Sequence, residues 1–85
     1  MRPPKSIKLA NRANKDLSAI PLKPRQAIQE ALDHLSVNPL LGKLLAPPFP
    51  KGSRRYRVGD YRIVYQFDET ILEVMSIKDR KDVYR

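Results

Sequence analysis

Hydrophobic positions along this chain follow two different periods. In the first half Leu9, Ala13, Leu17 and Ile20 recur at helical spacing. Ala27, Ile28, Ala31, Leu32 and Leu35 form a second and denser stripe. Residues so spaced share one face of a helix, so two amphipathic helices are predicted. Pro21 and Pro24 mark the break between them, and Pro24 suits the first turn of the second helix, where a missing N–H has no partner to lose. Asn38-Pro39 ends that helix, because proline drives the preceding residue out of helical geometry. From Arg54 to Phe67 the period changes to two, the alternation of a strand, interrupted only by Gly59-Asp60. Glycine first in a two-residue connection predicts a β-hairpin.

That hairpin sets a register: Val58 opposite Tyr61, Arg57 opposite Arg62, Tyr56 opposite Ile63 and Arg55 opposite Val64. One face then carries Tyr56, Val58, Tyr61, Ile63, Tyr65 and Phe67, while the other collects Arg55, Arg57 and Arg62. Lys5 to Ala10 alternates weakly and forms a short first strand. Residues 39–53, with four prolines and two glycines, read as a connecting segment whose Leu40, Leu41, Leu44 and Leu45 cap the core edge. Asp68-Glu69 is expected as a second turn, followed by a third strand from Ile71 to Ile77. Two registers are open for it: one points Leu72 and Val74 at the core, the other Ile71, Glu73 and Met75. The carboxylate of Glu73 favours the first. The expected fold class is α+β, a two-helix hairpin packed on an antiparallel β-sheet, with residues 1–85 as a single small domain.

Charge changes the picture more than composition does. Lys and Arg total 17 against 9 Asp and Glu, a net charge of +8 on 85 residues. Such an excess implies a nucleic-acid or acidic protein partner. It is concentrated: Lys51, Arg54, Arg55 and Arg57 fall within seven residues that hold no acid. Like charges directly opposite in a sheet are unfavourable. Arg57 facing Arg62 is therefore better explained by a phosphate-binding face than by folding alone. There is no cysteine and only one histidine, His34, so disulfides and thiolate or paired-histidine metal sites are excluded, and no metal or organic cofactor is implied. No apolar run approaches a signal-peptide core or a membrane span, and a soluble cytoplasmic protein is expected.

The helix pair, then Tyr-Arg-Val-Gly-Asp-Tyr-Arg-Ile-Val-Tyr over residues 56–65, then a tail closing on Asp-Val-Tyr-Arg over 82–85, resembles the RelE/ParE toxin superfamily of toxin–antitoxin systems. The likeness covers nearly the whole chain, and its specific part is the hairpin together with the tail. It implies a small α+β fold with two helices on an antiparallel sheet, neutralised by a co-expressed antitoxin. RelE-like members cut messenger RNA on the ribosome as endoribonucleases, whereas ParE-like members poison DNA gyrase. A degenerate member that only binds its antitoxin is a third outcome. Carried over residue by residue, the RelE pattern points to Arg62, Arg80, Tyr84 and Arg57 as the catalytic group. Arg55, Lys51, Lys78 and Arg54 are the further RNA-binding candidates. The chain departs from the pattern in having Arg55 and Arg57 where RelE has lysines, and no glutamate–histidine pair in its tail.

Cleavage by the RNA's own 2′-hydroxyl needs that oxygen deprotonated, charge stabilised on a phosphorane-like transition state, and the leaving 5′-oxygen protonated. Guanidinium groups suit the phosphate oxygens, and Tyr84 suits base stacking. Arginine is a poor proton acceptor. Lys51, Lys78, groups of the ribosome, or orientation and charge alone remain as sources of the first step. The net positive charge of the chain suits an acidic antitoxin segment, partly disordered alone, that orders over the arginine face.

Overall fold

A computed structural model describes residues 4–80. Strand β1 (Ser6–Leu9) leads directly into helix α1 (Asn11–Ser18) and then α2 (Leu22–Val37). A short 3-10 turn (Pro39–Leu41) is followed by β2 (Lys43–Leu44), β3 (Arg54–Val58), β4 (Tyr61–Phe67) and β5 (Ile71–Asp79). Pro24 lies within the first turn of α2, where its absent N–H breaks no helical bond. Asn38 leaves helical geometry with φ −132° and ψ 83°, as a residue before proline should.

The five strands form one sheet in the order β1-β5-β4-β3-β2. The β2–β3, β3–β4 and β4–β5 pairs are antiparallel. β1 lies parallel to β5, with Ser6 opposite Ile71 and Leu9 opposite Val74, so the sheet is mixed. The helix pair carries the chain from β1 at one edge to β2 at the other, and β1 pairs with the last strand, β5, not with the next one in sequence.

Both helices cover the same face of the sheet. The core is Ala13, Leu17 and Ile20 from the first helical segment, Ile28, Ala31, Leu32 and Leu35 from α2, and Ile63, Tyr65, Leu72, Val74 and Ile77 from the sheet. The helical stripe is as expected except at Ala27, which is exposed. His34 is also exposed.

The β3–β4 hairpin has the expected register, with Arg57 opposite Arg62 and Val58 opposite Tyr61. Gly59 takes φ +58°, the left-handed value that a glycine-first turn requires. The next hairpin differs by one residue. Asp68 N–H donates to the Ile71 carbonyl at 2.9 Å, so Glu69-Thr70, not Asp68-Glu69, occupies the turn. Moving the turn by one residue shifts the pairing by two, which leaves every side chain on its original face. Leu72 and Val74 accordingly point into the core.

A β-bulge then intervenes. Tyr65 pairs with Val74 but Val64 pairs with Ser76, leaving Met75 as the extra residue. Strict alternation from Leu72 and Val74 would turn Ser76 and Lys78 inward. The bulge instead buries Ile77 and sets Lys78 directly opposite Arg62.

One expectation fails in the 39–53 segment. Leu40, Leu41 and Leu44 are exposed rather than capping the core, and Leu45 is only half-buried. The backbone of this segment, not its side chains, meets the core. The Tyr65 hydroxyl donates to the Pro39 carbonyl at 2.6 Å and accepts the Gly42 N–H at 2.9 Å. Gly42 lies so close that an added Cβ would sit 2.7 Å from the Arg55 carbonyl and against the Tyr65 ring. A side chain there has no space, and the leucines on either side turn to solvent.

Candidate functional site

Among the described residues no helix covers the second face of the sheet. Alternation along β3 and β4 places Arg55, Arg57 and Arg62 on it, and the bulge in β5 adds Lys78 beside Arg62. Lys78 is partly restrained from the side. Its Nζ lies 3.9 Å from an Asp16 carboxylate oxygen on α1, while the other oxygen accepts the Ile77 N–H at 3.0 Å. β1 pairs β5 only as far as Val74. Asp16 thus satisfies a β5 edge group that the short β1 cannot reach.

Arg80 follows β5, and its N–H donates to the Asp60 carbonyl at 2.6 Å. This bond ties the residue after the last strand to the tip of the central hairpin. Arg57 is anchored to the same tip, donating from Nε to the Gly59 carbonyl at 3.0 Å. The result is a cavity of about 80 Å³ lined by Arg57, Asp60, Tyr61, Arg62 and Arg80. Three guanidinium-bearing residues from three separate elements converge there, with a carboxylate and a phenol. Arginines so grouped suit the oxygens of a phosphate. A second cavity of about 430 Å³ shares Arg57 and Arg62 and extends past Arg55 to Tyr56, Lys43 and Leu41. The two form one basic track around the open end of β3.

The expected site residues therefore divide. Arg57, Arg62 and Arg80 meet around one cavity; Arg55 lines the adjoining one; Lys78 stands opposite Arg62. Arg54 turns to the other face: it pairs with Tyr65, and its guanidinium donates to the Gly42 carbonyl at 2.7 Å. Lys51 lies at the far end of the hairpin. Its carbonyl is next to Gln66, four residues from Arg62 and so roughly 13 Å along the strand. Tyr84 falls outside the described residues.

Asp60, Tyr61, Lys43 and Leu41 also line the track and did not stand out in the sequence. By sequence Asp60 reads only as a turn residue and Tyr61 only as core. The available clue was position, since residues at a hairpin tip between two facing arginines are held close to both.

A family model described as the ParE toxin of type II toxin–antitoxin systems, parDE, matches residues 7–84. Among solved structures, the chain is similar to the toxin–antitoxin complex RelBE2 from Mycobacterium tuberculosis. The two are 28% identical over 91% of this chain and 92% of that one, with a TM-score of 0.82. The YoeB dimer from Staphylococcus aureus is 22% identical, covering 89% of this chain and 97% of that one at a TM-score of 0.75. A chromosomal ParDE system from P. aeruginosa is 20% identical, over 88% and 95%, at a TM-score of 0.71. These last two are likenesses of fold. No curated protein matches the chain at a significant level.

Proposed function

The chain belongs to the ParE toxin family of type II toxin–antitoxin systems, and from that premise we propose that it is an RNA-cleaving toxin of the RelE kind. It cuts messenger RNA on the ribosome, in the cytoplasm, by attack of a 2′-hydroxyl on the adjacent phosphate. Fold alone does not select this activity, because relatives of one fold carry different functions in their sites. The observation that carries the reading is the convergence of Arg57, Arg62 and Arg80 on one small cavity. Guanidinium groups suit the charge that builds on phosphorus in the transition state. Arg55 and Lys43 along the adjoining cavity suit the neighbouring phosphates of a single strand.

A second reading, inhibition of DNA gyrase without chemistry, is favoured by the description of the matching family itself. In that case the arginine face serves protein contact. Under either reading a cognate antitoxin is the expected partner, as in the RelBE2 complex that the chain resembles. An acidic antitoxin segment suits the net charge of +8 and the cationic face of the sheet.

Induction of the chain without its partner, followed by mapping of transcript 5′ ends and of DNA breaks, decides between them. New ends inside translated regions, with DNA intact, are expected. Growth arrest with intact transcripts and accumulating DNA breaks would replace the nuclease with the gyrase reading.

A further inference from the structure

The cavity formed by Arg57, Arg62 and Arg80 contains a residue that a simple phosphate cradle would not include. Asp60 lines it, and a carboxylate opposes the approach of a phosphate. Its carboxylate makes no hydrogen bond to a described residue and no ion pair within 4 Å among them. It is not needed to close the turn through its side chain, since Gly59 supplies the positive φ and the Asp60 main chain makes the contact to Arg80. That contact also fixes where the side chain starts, at the rim where three guanidiniums converge.

We propose that Asp60 is the proton acceptor for the 2′-hydroxyl in RNA cleavage, an assignment that rests on the nuclease reading above. Among the residues lining this cavity only Asp60 pairs an acceptor-only charge with proximity to all three arginines. The groups facing it are Arg57 from β3, Tyr61 and Arg62 from β4, and Arg80 beyond β5. Asp79 stands opposite Tyr61 at the end of β5 but does not line the cavity. In the step itself the carboxylate takes the 2′ proton as O2′ bonds to phosphorus. The bond from phosphorus to O5′ then breaks, and O5′ takes a proton from water. The hydroxide left behind receives the proton held by Asp60. The products are a 2′,3′-cyclic phosphate and a 5′-hydroxyl, with Asp60 restored.

The experiment is single-turnover cleavage of a ribosome-bound message by the wild-type chain, Asp60→Asn and Asp60→Glu, with thermal melts of each. Asparagine is at home in turns, so Asp60→Asn should stay folded. It should cleave roughly 10²–10⁴-fold more slowly, the usual contribution of a general base. Binding of the message should be unchanged or tighter, because a negative charge has left the phosphate site. Asp60→Glu should recover part of the rate, which preserves the test if the asparagine variant melts too low.

Cleavage by Asp60→Asn within about threefold of wild type would overturn the assignment. Cleavage by Asp60→Glu no faster than by Asp60→Asn, with both variants folded, would do the same, since a retained carboxylate should still accept the proton. Failure of the wild-type chain to cleave at all would overturn the nuclease reading and this assignment together, whereas equal cleavage by wild type and Asp60→Asn removes the assignment alone.

Discussion

Replacing Tyr65 by phenylalanine removes one oxygen atom from a buried polar junction. That hydroxyl accepts the Gly42 N–H at 2.9 Å and donates to the Pro39 carbonyl at 2.6 Å, and the Tyr65 side chain is fully buried. The ring stays, so no large cavity opens. What is lost is the pairing of one buried N–H and one part-buried C=O. A buried polar group left without a partner costs about 1–3 kcal/mol. The carbonyl is only partly buried and regains some hydration, so the sum is about 2–3 kcal/mol. For a domain of this size each kcal/mol moves the melting temperature by about 4–8 °C, so a drop of roughly 8–24 °C is expected.

The assay is thermal and urea melting of both chains, with hydrogen exchange at the Gly42 amide as a local readout. The gap should also depend on alkali. Burial, the largest cause, raises the Tyr65 pKa above its ordinary 10.0. Below that value both states are protonated and the stabilisation is complete. Above it the unfolded tyrosine ionises first, and the advantage of wild type over Tyr65→Phe shrinks as pH rises through the folded-state value. A melting difference under about 4 °C at neutral pH would refute the reasoning, because it would mean that the 39–42 segment does not depend on this hydroxyl.

Other outcomes follow from the same geometry. Arg62→Ala should leave melting nearly unchanged and slow cleavage of a ribosome-bound message by roughly 10²–10³, the loss expected for one preorganised donor. Full-rate cleavage by the folded variant would put the active site elsewhere. Arg57→Ala should weaken binding of single-stranded RNA and flatten the slope of log affinity against log salt by about 0.7, measured by titration at several salt concentrations. Asp68 accepts the N–H groups of Ile71 and Thr70, each at 2.8 Å. The Ile71 bond first and the Thr70 bond second hold its carboxyl below its ordinary 3.8. Its stabilisation is therefore complete above that value and lost as pH falls through the lower folded-state value. Asp68→Ala should melt below wild type at neutral pH, with the gap closing under acid, while Asp68→Asn, which keeps an acceptor, should lose less.

The sequence by itself determined what short-range spacing can specify. Helical stripes named Ala13, Leu17, Ile28, Leu32 and Leu35 as core, because a residue's face on a helix depends only on its offset from its neighbours. Gly59-Asp60 set Arg57 against Arg62, because a two-residue turn allows a single register. The tolerance was real: the second turn lies one residue later than expected, and Leu72 and Val74 still face inward.

Tertiary structure decided everything that depends on a second, distant partner. Lys78 joins the arginine face only because Met75 bulges, and that extra residue is permitted where β1 has stopped pairing and Asp16 takes over the Ile77 N–H. Alternation places Arg54 on the face of Tyr56, but the partner of its guanidinium, the Gly42 carbonyl twelve residues away, is brought to it only by the fold. The exposed leucines look like core in any count of hydrophobicity. They stay exposed while the backbone of Gly42, held by Tyr65, takes the place beside the core. Asp60 reads as a turn residue until the N–H of Arg80, twenty positions on, closes against its carbonyl and completes the cavity. Periodicity sets which face a residue occupies within its own element; which residues meet across that face is set by hydrogen bonds between elements, and no local pattern encodes them.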